Sequence, residues 1–172
     1  MEDAVELEDA EPIRVVVRVR PIAAARGTVS VHAPDTIHVR RKEGELRAQF
    51  DAVLDTAAAQ RDVYTQVAPA VQAALNGLNS TVFAYGQTGS GKTHTLFGGM
   101  LADEEGDEAS EGMAARALRA VFAQAEAMRA TGSQLAISCS FLEVYNEAMT
   151  DLLLPPAARQ AGVALRCAER AV

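Results

Sequence analysis

Gly86-Gln87-Thr88-Gly89-Ser90-Gly91-Lys92-Thr93 fits the pattern G-x-x-x-x-G-K-[ST], which needs a strand running into it and a helix leaving it. Thr81-Val82-Phe83-Ala84-Tyr85 supplies a β-prone run ahead of the loop, set off by Asn76, Gly77, Asn79 and Ser80. Behind it the glycines stop and a helix is predicted from Lys92. Glycines let the backbone wrap an anion without Cβ clashes, so that successive N–H groups point at it. The N-terminus of the following helix adds positive potential. Lys92 then reaches the β- and γ-phosphates of a nucleotide, and the Thr93 hydroxyl ligates Mg²⁺. A glycine-rich turn matching by chance is the bland alternative, but it does not call for the flanking strand and helix. The loop reads as a nucleotide site.

At 172 residues, 49% apolar and 23% charged, the chain suits one domain or part of a larger one, with enough apolar material for a core. A formal charge of −7 argues against nucleic-acid or membrane-surface partners, which are themselves anionic. No stretch approaches the length of a membrane span, and the acidic residues 1–11 lack the pattern of a signal peptide. Those residues read as a disordered acidic tail ahead of a domain over 12–172. Two cysteines, Cys139 and Cys167, make neither a disulfide framework nor a metal site, and Cys139 is expected to be buried. The chain reads as cytosolic.

Hydrophobic spacing sketches an α/β order. A β-branched strand is predicted over 13–20, ended by Pro21, and a hairpin over 36–40 and 46–50 around Glu43-Gly44. Val63, Val67, Val71 and Leu75 recur every four residues and predict a helix over 60–76, with Pro69 a potential kink and Gly77 the stop. After the loop the helix is interrupted at Gly98-Gly99 by an acidic surface stretch, 103–108, and resumes from about 112 to 130. A strand over 134–145 and a short helix over 146–154 complete the pattern. Strands alternating with helices around a phosphate loop point to a three-layer α/β fold with a central, mainly parallel sheet.

Other constellations carry little chemistry. Glu143 and Glu147 suit a strand-to-helix junction better than paired acid–base carboxylates. His32, His38 and His94 are scattered, with no metal-ligand spacing. Ser138 and Ser140 lack the glycines of a nucleophile elbow.

The segment Ala84 to Thr95 (AYGQTGSGKTHT) resembles the nucleotide loop of kinesin motor domains, and four other segments match in the same order. Ile13-Arg14-Val15-Val16-Val17-Arg18-Val19-Arg20-Pro21 resembles the family's first strand with its Arg-x-Arg-Pro ending. Phe50-Asp51-Ala52-Val53-Leu54-Asp55 with Gln60 and Val63-Tyr64 resembles the lead into its first major helix. Glu111-Gly112-Met113-Ala114-Ala115-Arg116-Ala117-Leu118 resembles the restart of the interrupted helix, with Ala115 where proline is common. Ser140-Phe141-Leu142-Glu143-Val144-Tyr145-Asn146-Glu147 with Asp151-Leu152-Leu153 resembles a later strand and its exit.

The resemblance, over about 12–154, implies a P-loop NTPase-type fold, kinesin-motor-like but incomplete. It implies ATP and Mg²⁺ as cofactors, and an adenine pocket lined by Arg18, Arg20, Pro21 and His94, whose planar groups stack on a base. Taken alone, Arg18 and Arg20 fit a solvated strand edge better than a pocket, and His94 is equally a helix-surface or a core histidine. It further implies a cytoplasmic, cytoskeletal motor with tubulin as partner, although most tubulin-contacting elements are expected beyond these segments. The family's Asn-x-x-Ser-Ser-Arg-Ser-His switch does not occur here, and the letters of its Asp-x-x-Gly-x-Glu switch are met only by Asp103 to Glu108, inside the acidic surface stretch just after the loop and not in a separate later segment. No catalytic residue is therefore assigned. The reading is of an ATP-hydrolysing microtubule motor represented by the N-terminal part of its motor domain. The alternative is a catalytically inactive nucleotide-binding fragment or interaction module. A small metabolite kinase is disfavoured, because its loop would follow the first strand. Half of such a sheet would leave strand edges and apolar faces uncovered.

Overall fold

Valines are stiff at χ1 and pack well on a pleated surface, so the run from Val15 to Val17 favours extended backbone. In the computed structural model, which describes residues 13–22, 28–32, 34–99 and 108–159, β1 (Val16–Arg18) runs parallel to β5 (Ala52–Leu54), with Val17 opposite Val53. The pair continues at both ends. Val19 N–H donates to the Leu54 carbonyl at 2.9 Å, and the Asp51 carboxylate accepts the Val15 N–H at 2.7 Å. The strand is shorter than the 13–20 predicted, because ladder bonds reach only as far as the three-residue partner.

Between these strands, β2 (Val29–His32), β3 (Thr36–Arg41) and β4 (Gly44–Gln49) form an antiparallel meander in the order β2-β3-β4. The β3–β4 hairpin stands where Glu43-Gly44 predicts it. Strand β2 was not expected; four residues are too few for a period to show, and pairing with β3 secures it. The register puts Val29 opposite Val39, Val31 opposite Ile37 and Val39 opposite Leu46, so one face is apolar. The other carries Ser30, His38 and Arg47 side by side.

Helix α1 (Gln60–Leu75) follows its four-residue apolar stripe and runs through Pro69. At its start Asp62 accepts the Ala59 N–H at 2.8 Å, a carboxylate where the helix dipole favours one. At its end Gly77 N–H donates to the Ala74 carbonyl and Leu78 N–H to Ala73, the paired bonds of a Schellman stop.

Helix α2 (Lys92–Phe97) is only six residues long, and helix returns as α3 (Met113–Ala130), as the Gly98-Gly99 break predicts. Gly98 and Glu111 form an antiparallel bridge, and Gly99 N–H donates to the Ser110 carbonyl at 3.1 Å. Gly98, at φ +67°, passes so close that a Cβ would strike the Ser110 carbonyl oxygen. The acidic stretch lies outside the described residues except Glu108, which opens a 3₁₀ turn, Glu108–Ser110. The tail 1–11, residues 160–172 and Cys167 lie outside them as well.

Glu111 closes this neck with its side chain. Its buried carboxylate accepts Arg119 Nε at 3.0 Å and Arg119 Nη2 at 2.5 Å. These charge-assisted bonds, with burial opposing them, hold the Glu111 carboxyl below its usual range. A carboxyl depressed in the folded state stabilises the fold above its unfolded pKa of about 4.3, and that contribution disappears as pH falls through the folded value. Glu111→Gln should therefore lower the thermal midpoint by about 2–4 °C at pH 7. In melts followed by circular dichroism the gap should close below about pH 4.

From Met128 onward the chain forms a second unit. Here the sequence expectation is corrected. Strand is confined to β6 (Leu142–Tyr145), and the segment predicted as helix over 146–154 is mostly strand, β7 (Ala148–Asp151), antiparallel to β6. The reason is a two-residue turn: Asn146 (φ +49°) and Glu147 (φ +64°) are both left-handed, the type I′ geometry that matches strand twist. Without a glycine the turn is hard to read. A short helix, α4 (Pro156–Arg159), follows.

Residues 133–141 and 78–86 also lack strand structure, against both predictions. A β-prone run becomes a strand only when a neighbour completes its ladder. Cys139 is exposed rather than buried, in a segment that joins no ladder among the described residues. Buried apolar residues are few among those described: Ala52, Val53, Val63, Met113 and Ala125. Phe83, Phe122 and Tyr145 stay exposed, and Tyr85 is 95% exposed.

Candidate nucleotide-binding site

The glycine-rich loop joins the extended run ending at Tyr85 to the first turn of α2. Ser90 N–H donates to the Gln87 carbonyl at 3.1 Å, tightening the loop's middle. Gly91 sits at φ +104° as the N-cap of α2, a conformation that L side chains rarely adopt. From there the helix starts at once, with Thr95 N–H donating to the Gly91 carbonyl at 2.9 Å. Although α2 is short, the dipole effect is concentrated in the first turn, whose N–H groups have no helical acceptors.

Lys92 is half-buried, and its ammonium folds back over the loop, donating to the Gly86 carbonyl at 2.8 Å and the Gln87 carbonyl at 3.0 Å. A phosphate oxygen is a stronger acceptor than either carbonyl, so an incoming polyphosphate competes well for these bonds. Gln87, Thr88 and Gly89 are exposed around it, as is Thr93, whose hydroxyl is the proposed metal ligand. Among the described residues no cluster of three or more His, Cys, Asp or Glu side chains suits a metal ion. Mg²⁺ at such a site would rely on Thr93, phosphate oxygens and water, which fits the ion's preference for oxygen and retained waters.

The two arginines at the end of β1 do different things. Arg20 is exposed and its Nη1 donates to the Gly89 carbonyl, binding strand end to loop. Arg18 turns inward. Its Nη1 donates to Gln60 Oε1 and Thr95 Oγ1, both at 3.0 Å, and its Nη2 to the Ala58 carbonyl at 3.4 Å. Burial pushes the Arg18 guanidinium down from its ordinary value, from a starting point so high that it stays charged at neutral pH. Pro21 is exposed beside these residues in sequence. His94 has an exposed side chain, but its carbonyl accepts Gln60 Nε2 at 2.6 Å and Gly98 N–H at 2.8 Å.

The structure thus joins Arg20 to the loop, and Arg18 to the helix that carries His94. Gln60 and Thr95 link them, and sequence reasoning did not single out either for the site. Their signal was faint: Gln60 is the first residue of α1, where the apolar stripe dominates the pattern.

The family model for the kinesin motor domain matches residues 6–171. Among curated relatives, "Kinesin-like protein KIN-5A" of Arabidopsis thaliana is 36% identical over 162 residues, covering 87% of this chain and 15% of the relative. "Kinesin heavy chain" of Neurospora crassa is 35% identical over 153 residues, covering 85% of this chain and 16% of that protein. A solved fast kinesin superposes with a TM-score of 0.67 at 34% identity, over 83% of this chain and 41% of that one. The motor domain of the Kar3-like kinesin from Ashbya gossypii gives 0.68 at 28% identity, over 81% and 46%. The chain spans about 15% of the length of these curated relatives and less than half of either solved chain. It belongs to the kinesin motor domain family, as its incomplete α/β fold and phosphate loop had indicated.

Proposed function

We propose that this chain holds MgATP as the nucleotide-binding part of a microtubule motor, a protein that couples ATP hydrolysis to movement along microtubules in the cytoplasm. The observation that carries the nucleotide reading is the position of Lys92, a half-buried ammonium held across the mouth of a glycine loop by two carbonyls. In this reading the amides of residues 86–93 surround the phosphate chain, and Lys92 exchanges Gly86 and Gln87 for β- and γ-oxygens. Arg18, Arg20, Pro21 and His94 form the wall for adenine, Arg18 from behind and the others at the surface. Thr93 holds Mg²⁺, which when bound neutralises charge between the β- and γ-phosphates. Tubulin is the macromolecular partner, by family membership, while nucleic acid and membrane are not. Among the described residues no helix is long and apolar enough to cross a membrane.

A second reading rests on one observation. The Asn-x-x-Ser-Ser-Arg-Ser-His switch does not occur in the 172 residues, and Asp-x-x-Gly-x-Glu is matched only within the acidic stretch 103–108, so in this reading the polypeptide by itself binds nucleotide without turning it over. Both readings share the binding step. Isothermal titration with ATP should give one site that tightens about tenfold or more when Mg²⁺ replaces EDTA, as expected for an ion bridging protein and phosphate. Binding that is absent, or indifferent to Mg²⁺, would remove the proposal.

A further inference from the structure

Gln60 is one of the few buried polar side chains described, at 5% exposure, and both ends of its amide are used. Nε2 donates to the His94 carbonyl at 2.6 Å, and Oε1 accepts Arg18 Nη1 at 3.0 Å. The amide's orientation follows from its partners, since a carbonyl needs a donor and a guanidinium an acceptor. The same Arg18 Nη1 reaches Thr95 Oγ1, so one part-buried polar cluster crosses from the end of β1 through the start of α1 to the first turn of α2. It does not include the phosphate loop. The loop's own ties run through Lys92 and Arg20, on different carbonyls.

We infer that Gln60 is a positioning residue for the base end of the nucleotide, setting the His94 backbone, and with it the imidazole, against the arginines of β1. This rests on the nucleotide reading above. The His94 carbonyl is pinned between Gln60 Nε2 and the Gly98 N–H, which determines how the first turn of α2 presents the side chain. Loss of the Gln60 donor leaves the His94 carbonyl with only the Gly98 N–H and lets the His94 peptide and side chain shift, while Lys92 keeps its own ties to Gly86 and Gln87. Phosphate contacts, held by the loop, are spared.

The test compares MgATP with magnesium tripolyphosphate, which has the phosphates and no base, by isothermal titration of the full 172-residue chain. Two variants are used. Gln60→Ala removes both bonds, whereas Gln60→Glu keeps an acceptor for Arg18 and loses the donor to His94. Each should weaken MgATP about tenfold while tripolyphosphate stays within about twofold. Equal losses for both ligands, unchanged MgATP affinity, or loss of helical circular dichroism in both variants would overturn the inference. Failure of the underlying reading looks different: the unaltered chain would bind neither ligand, or Lys92→Ala would bind both as well as it does.

Discussion

Lys92→Ala should weaken MgATP binding about 100-fold. Hydrogen bonds from a charged donor are worth roughly 1.5–3 kcal/mol each, and 1.4 kcal/mol is a factor of ten in affinity. Removing one ammonium that reaches two phosphate groups therefore costs about 2–3 kcal/mol, even after solvent takes part of its place. The mutation also frees the Gly86 and Gln87 carbonyls, which Lys92 now draws together, so the loop's amides are less well arranged before the ligand arrives. Lys92→Arg is not a rescue, because a broad planar fork does not fit where a compact ammonium sits between two carbonyls. Fluorescence titration with a labelled ATP analogue reads the effect, and circular dichroism reports whether the fold persists. An affinity within about threefold of the unaltered chain would mean that the loop binds no polyphosphate.

The second large effect is on turnover. A polypeptide of residues 1–172 should hydrolyse bound ATP at close to the uncatalysed rate, and microtubules should not accelerate it. Cleavage of the γ-phosphate needs groups that orient the attacking water and answer the charge on the leaving phosphate, and such groups contribute about 10³–10⁵ in rate where they have been measured in P-loop enzymes. In the proposed site Lys92 and Thr93 address the phosphates and the metal. Neither side chain is a base for water, no Asn-x-x-Ser-Ser-Arg-Ser-His segment is present, and the only match to Asp-x-x-Gly-x-Glu, Asp103 to Glu108, belongs to the acidic stretch just after the loop. Phosphate release measured with excess microtubules checks this. Stimulation of tenfold or more would show that another residue of this chain does the work of the switches.

How much was legible depended on the range of the forces involved. Helix α1 could be read off Val63, Val67, Val71 and Leu75, because the contacts that make a helix lie within four residues. The break at Gly98-Gly99 and the hairpin at Glu43-Gly44 were legible for a similar reason, since backbone preference there is a property of the residues themselves. The backbone of the loop was legible too, with Gly91 left-handed at the start of α2, as its motif constrains local backbone. Strands failed where a partner was needed. Thr81 to Tyr85 and the stretch 134–141 have the composition of strands but no ladder among the described residues. The exit from β6 failed for a different reason: Asn146-Glu147 makes a left-handed turn that glycine would have announced.

The residues proposed for the adenine side divide in the same way. Sequence resemblance picked out Arg18 and Arg20 as equivalent members of one pocket, yet folding gives them separate tasks. Arg18 is consumed by Gln60, Thr95 and Ala58, which come from 40 to 77 residues away, whereas Arg20 reaches the loop at Gly89. No periodicity records such contacts.

Residue order alone committed this protein to a phosphate-gripping loop, to the helices that flank it and to its family, because backbone stereochemistry and short-range spacing are written one neighbour at a time. Which β-prone runs became strands, and which buried amide joined β1 to the helix bearing His94, were decided only when distant segments met. A hydrogen bond across the chain has no local signature until both of its ends are in place.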